Sequence, residues 1–233
     1  RQRHMCIRDR YWAYRNDINS LINSRIISKN SPQRIDANDF LISQVSLKTD
    51  QIPTSKTASI HLNSALNSEI NIVEQRYDFL KIWNENNLET LMGEFEPFLD
   101  FNGGIKQHFY FDGNQFIFAT FKRKSSNLCY FASLINLTTK TEVFRTPCLA
   151  KEAMFDFNGI GGGYAVKDGR LYLAVGAPEY TSSSVRQFAQ DPKSPYGKVI
   201  TFNKQKLLTK PKDIFAFDTY TIGHRNPQGM VYL

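Results

Sequence analysis

Residues 104–122 read GIKQHFYFDGNQFIFATFK. Two aromatic-rich runs flank Asp112-Gly113-Asn114, and an Asp-Gly pair between alternating apolar runs is a hairpin signal. After a polar turn come NLCYFASLIN (127–136), LTTK (137–140) and TEVFRTP (141–147). The pattern predicts four short antiparallel strands joined by tight turns. A compact four-stranded meander is the unit of a β-propeller blade.

The pattern recurs downstream. GGYAVKD (162–168) meets a second Asp-Gly turn at Asp168-Gly169, followed by RLYLAVG (170–176). After a long loop, GKVITFN (197–203) and IFAFDTY (214–220) complete a second set of four, and GMVYL (229–233) is expected to begin another. Repeats near fifty residues suit stacked blades. The expected fold is therefore all-β: an incomplete propeller of four-stranded antiparallel blades over residues 40–233. Clear blades are expected at about 103–147 and 161–220, with the start of a further one at 222–233. Residues 40–47 read as a strand, 48–68 as polar loop, 69–83 as ambiguous and 86–99 as one helix. Residues 40–100 leave room for an earlier blade whose strands the sequence does not pair.

Residues 11–39 form a separate N-terminal segment. Ile18, Leu21, Ile22 and Ile26 recur at helical spacing, which predicts a short amphipathic helix ending near Pro32. Tyr11, Trp12, Tyr14 and Arg15 are also residue types that flank a membrane anchor, so an anchor upstream stays open.

The first ten residues, RQRHMCIRDR, stand apart. MCIRDR is the translation of ATG-TGT-ATA-AGA-GAC-AG, which resembles a sequencing-library adapter, and residues 1–10 are expected to be non-native. Their four Arg and one Asp supply +3 of the formal net charge of +7. The remaining bias is mild and forms no basic stripe, so nucleic acid is not an expected partner. The adapter-like start and the stop at Leu233 lead us to expect a piece of a longer reading frame.

Cys129 and Cys148 fall at the third strand and just past the fourth strand of the first blade. Neighbouring antiparallel strands bring such residues within disulfide range, and a bridge implies an oxidising compartment. Two buried free thiols are the alternative.

Motif chemistry is sparse. GIGGGY (159–164) superficially fits a dinucleotide loop, but that loop must lead from a strand into a helix, whereas YAVKDGRLYLAV continues as a hairpin. The glycines are expected instead to permit close backbone approach. His4, His61, His108 and His224 show no metal-ligand spacing, and no metal site is expected within the chain. GHRNPQG (223–229) is denser in polar chemistry. Pro227 biases Asn226 toward extended backbone, and Arg225 offers a planar fork of donors suited to a carboxylate or quinone oxygen. A structural corner, with Arg225 on a neighbouring loop's carbonyls, is the other reading.

At these residues the sequence resembles the soluble pyrroloquinoline quinone (PQQ)-dependent sugar dehydrogenases, the glucose/sorbosone dehydrogenase family. GHRNPQG, AQDPKSPYGKVI (189–200) and DGRLYLAVG (168–176) match family elements in order and spacing, over about residues 100–233. The resemblance implies a six-bladed propeller that oxidises an aldose or polyol by hydride transfer to PQQ and passes electrons to an external acceptor in the periplasm or another extracytoplasmic space. It implies that Arg225 and Asn226 contact PQQ, that Gln228 supports the loop, and that calcium sits on a loop past Leu233. It also places a catalytic His before the hairpin, where this chain carries Asn158 or Ile160, depending on the gap. The Asp that orients that His is replaced by Ala177. Base and orienter are missing together, so an inactive exported propeller that binds a saccharide or a protein is the competing expectation.

Overall fold

The computed structural model describes residues 76–125, 129–149, 157–177 and 188–230, and, as strands alone, 35–37, 40–42, 58–63 and 69–74. Residues 1–10 and the expected helix around Ile18–Ile26 lie outside the described residues. The chain divides into two compact units, residues 1–49 and 50–233. In the first, β1 (Ile35–Ala37) and β2 (Phe40–Ile42) form an antiparallel hairpin.

The second unit is built of antiparallel sheets with few helices. It opens with the hairpin of β3 (Ala58–Asn63) and β4 (Glu69–Glu74). β3 corrects the expected polar loop over 48–68: Ile60 and Leu62 alternate with polar residues at strand period, a signal hidden by the Ser and Asn around them. Two helices follow, α1 (Tyr77–Glu85) and α2 (Leu88–Met92), then β5 (Phe95–Pro97). The single helix expected over 86–99 is thus cut short. Gly93 ends it with φ of +59°, and the chain turns straight into a strand.

The first sheet contains the 104–122 hairpin. β6 (Ile105–Phe111) pairs with β7 (Asn114–Arg123), which pairs with β8 (Tyr130–Asn136), which pairs with β9 (Thr141–Arg145), all antiparallel. β5 joins the same edge of β7 beyond the end of β6, pairing Phe95 with Arg123. Both faces of this sheet are buried, which explains its almost unbroken apolar sequence. Phe116 and Phe118 enter one core with Leu171, Leu173, Ile200 and Phe202 of the next sheet. Ile117, Ala119 and Phe121 enter the other, against Phe79, Trp83, Leu88 and Met92 of the helices.

After the short 3₁₀ turn Phe157–Ile160, the second sheet runs β10 (Gly161–Lys167), β11 (Arg170–Val175), β12 (Lys198–Asn203) and β13 (Asp218–Ile222), neighbour to neighbour. Helix α3 (Lys204–Leu208) bridges β12 and β13, with Asn203 capping its start by accepting from the Lys206 amide at 2.8 Å. The expected fourth strand over 214–220 shifts to 218–222. The carbonyl of Ile214 is taken by the Arg145 amide of β9 at 2.8 Å, and residues 214–215 turn. Residues 223–230 of the expected further blade form no regular strand, and 231–233 lie outside the described residues.

The two sheets are joined by more than the shared core. Tyr196 Oη donates toward the Pro147 carbonyl at 2.5 Å and meets Thr146 Oγ1 at 2.9 Å. Phe109 of β6 stacks on Tyr164 of β10, ring centroids 4.5 Å apart. Cys129 and Cys148 are joined as a disulfide with Cα atoms 4.7 Å apart, clamping the entry of β8 to the exit of β9.

Candidate functional site

Gly161, Val175, Lys198 and Ile222 lie side by side at one end of the second sheet, paired in turn across it. The GHRNPQG segment leaves β13 at this end and returns across all four strands. The Gly223 amide donates to Ala189 O at 3.2 Å and the His224 amide to Gly197 O at 2.9 Å. Further along, Arg225 O accepts from the Ala177 amide at 2.8 Å and Pro227 O from the Gly163 amide at 3.1 Å. The segment therefore starts at the edge strand β13 and reaches the opposite strand, β10, in four anchored steps. Pro227 has no amide to satisfy and a fixed φ, which suits a strap of this kind.

Glycines make the close approach possible. A Cβ on Gly176 would stand 1.9 Å from Gly159 O and 2.6 Å from Arg225 O. One on Gly162, where φ is +108°, would stand 2.8 Å from Lys106 O of β6. The glycine run thus brings β10 against β6 on one side and against the strap on the other. β10 continues directly into β11 as a hairpin, so this is no dinucleotide loop.

The strap's backbone is held while its polar side chains stay outside. Arg225, Asn226 and Gln228 are exposed, beside the glycine run. A guanidinium fork and two amides form a donor set suited to carboxylates, quinone oxygens or sugar hydroxyls. His224 differs. Its Nε2 lies 2.7 Å from Thr221 Oγ1 of β13, the strand farthest from β10, and burial pushes its imidazole below the usual 6.5. That ring is already engaged at the edge strand.

Of the two positions considered for the catalytic base, only Ile160 has a described side chain. Ile160 is fully buried in the core shared by the sheets, so a side chain there faces no substrate. Asn158 sits in the 3₁₀ turn, and its side chain lies outside the described residues. Ala177 is also buried, its amide spent on Arg225. Among the described residues, no group of three or more His, Cys, Asp or Glu stands ready for a metal ion. No described helix is long and apolar enough to cross a membrane.

Sequence reasoning passed over Lys198. It opens an apolar strand and is fully buried, although lysine is rarely interior. Its Nζ donates to the carbonyls of Phe188 (2.8 Å), Tyr196 (3.1 Å) and Ala189 (3.3 Å). Burial pushes its ammonium below the usual lysine range, and the charge of Asp191 opposes that. The available signal was the charge itself, a Lys at the head of the VITF run.

The family model for Glucose / Sorbosone dehydrogenase matches residues 60–233. No curated protein and no solved structure matches the chain.

Proposed function

The chain belongs to the glucose/sorbosone dehydrogenase family, and from that premise we propose that it is a quinoprotein-type sugar dehydrogenase relative whose 223–229 strap holds PQQ. The observation that carries this is the strap itself. Four backbone hydrogen bonds fix residues 223–227 across the strand ends, while Arg225, Asn226 and Gln228 remain exposed. Such a frame loses little entropy when it takes a rigid anionic ligand.

The donor set fits that group. Arg225 matches a carboxylate or a quinone oxygen bidentately, and the amides of Asn226 and Gln228 both donate and accept. When bound, PQQ supplies a two-electron acceptor for the hydride of an aldose or polyol. The chain's own part is to bind, to orient and to stabilise negative charge through Arg225. Calcium belongs to this reading as well, held by residues other than a described His/Cys/Asp/Glu cluster. The proposed setting is extracytoplasmic, supported by the Cys129–Cys148 bridge. An external electron acceptor completes the reaction.

Proton removal is the weak step. Ile160 and Ala177 are buried apolar residues where the resemblance implies an imidazole and its carboxylate partner, and an Asn at 158 is no general base at neutral pH. These observations favour a second reading, in which the protein binds cofactor or saccharide with little turnover. One experiment addresses both. The full-length protein is titrated with PQQ in the presence of calcium, then assayed for dye-linked sugar oxidation. Saturable binding weakened by Arg225→Ala by roughly 1.5–3 kcal/mol, the range for a hydrogen bond to a charged group, supports the first reading. Binding without turnover supports the second. Absence of PQQ binding overturns the cofactor assignment.

A further inference from the structure

Two stretches of chain, residues 188–190 and 196–198, meet the first residues of the strap, 223–224. A Cβ on Gly197 would lie 2.4 Å from Ala189 Cβ and 2.9 Å from His224 O, so the three are in direct contact. Their carbonyls converge there. Those of Phe188, Ala189 and Tyr196 all accept from Lys198 Nζ, and Ala189 O also accepts from the Gly223 amide at 3.2 Å. We propose that Lys198 is a positioning residue of this site, its buried ammonium setting the place of the strap that carries Arg225 and Asn226. The proposal rests on the reading of that strap as the cofactor loop.

The chemistry is specific to an ammonium. An ammonium carries three N–H donors, and three carbonyl acceptors lie within hydrogen-bond distance of this one. An apolar side chain of the same length leaves the Phe188 and Tyr196 carbonyls without the ammonium donor and Ala189 O with the Gly223 amide alone. They then separate or admit water. Ala189 carries the first anchor of the strap, so its displacement moves Gly223, and His224 follows through Gly197. Arg225 and Asn226 are the next two residues. A guanidinium restores the charge, but its planar fork is a poorer match to three acceptors gathered around one point.

The test uses the full-length protein and three variants: Lys198→Met, Lys198→Arg, and Phe202→Leu as a core change that lowers stability without touching the carbonyl cluster. PQQ affinity with calcium is measured by titration, and the amides of Gly223 and His224 are followed by hydrogen exchange. Lys198→Met is expected to weaken PQQ by about tenfold or more, the size of a lost hydrogen bond to a charged group, and to speed exchange at both amides. Lys198→Arg recovers part of each, and Phe202→Leu leaves both at wild-type values. Wild-type affinity and exchange in Lys198→Met overturn the proposal, as does an affinity loss matched by Phe202→Leu at equal melting temperature. If Lys198→Met does not fold, Lys198→Arg decides: exchange faster at Gly223 and His224 than at Ile200–Phe202 supports the role, and unchanged exchange refutes it. If the wild type itself binds no PQQ, the cofactor reading has failed, and the exchange data alone decide the role of Lys198.

Discussion

The amide of Ala177 donates to the carbonyl of Arg225 at 2.8 Å, joining the end of β11 to the middle of the GHRNPQG strap. Position 177 is where the family resemblance implies a carboxylate that orients a catalytic His. The backbone bond survives any side chain there, so the chemistry can be altered without cutting the anchor.

Ala177→Asp alone is expected to destabilise the protein by roughly 3–5 kcal/mol, because it buries a carboxylate without a partner. Asn158→His places an imidazole at the position the resemblance leaves open for the base. The double variant should regain part of the stability and raise dye-linked sugar oxidation by about 10²–10⁴-fold, the range for general base catalysis. Ile160→His should bring no gain, because that position lies in the core. Equal activity in the 158 and 160 variants would show that the base position has been misassigned.

Gly176 has no room for a side chain, whereas Gly229 meets nothing within 4 Å of its Cβ position and carries no positive φ. Gly176→Ala should therefore cost about 3 kcal/mol, the upper part of the overpacking range. Gly229→Ala should stay within about 0.5 kcal/mol of wild type. Urea unfolding of the two variants checks the contrast, and a tolerated Gly176→Ala would mean the strap does not approach β11 this closely.

The Cys129–Cys148 bridge closes a short loop, with a sequence separation of 19. Loops of this length imply about 3 kcal/mol of stabilisation in the chain-entropy account. Pro147, next to Cys148, accepts from Tyr196 Oη, so the bridge also steadies the contact between the sheets. Reductant or Cys148→Ser should lower the melting temperature by several degrees, about 2–4 °C per kcal/mol at this size. An unchanged melt, or two labelled thiols in protein from an oxidising compartment, would contradict the bridge.

His224 gives a pH dependence of definite sign. Its folded pKa lies below the ordinary 6.5 because burial opposes the charged ring. Between those two values the unfolded chain binds more protons than the folded one, so stability rises with pH across that window. The contribution is complete above 6.5 and lost as pH falls through the lowered value. Protection of the Gly223 and His224 amides, relative to their intrinsic exchange at each pH, should fall on acidification, and His224→Gln should remove most of that response. A wild-type loop equally protected on both sides of the window would refute it.

The sequence alone determined the strand-rich character of residues 104–203, the two Asp-Gly hairpin turns and the family. Asp112-Gly113 and Asp168-Gly169 both sit at hairpin turns with positive φ, as local turn chemistry requires. The GHRNPQG, AQDPKSPYGKVI and DGRLYLAVG elements carry the family because their order and spacing are linear properties of the chain. What needed tertiary structure was everything that depends on which backbone groups meet. Strand β13 begins at Asp218 because Arg145, more than seventy residues earlier, takes the carbonyl of Ile214. Ile160 is taken out of reach of a substrate by a core drawn from two sheets. Lys198 reads as a charged strand end until three carbonyls from two stretches, 188–189 and 196, close around it. Local propensity acts over a few residues, whereas a buried charge is decided by the partners that folding delivers to it.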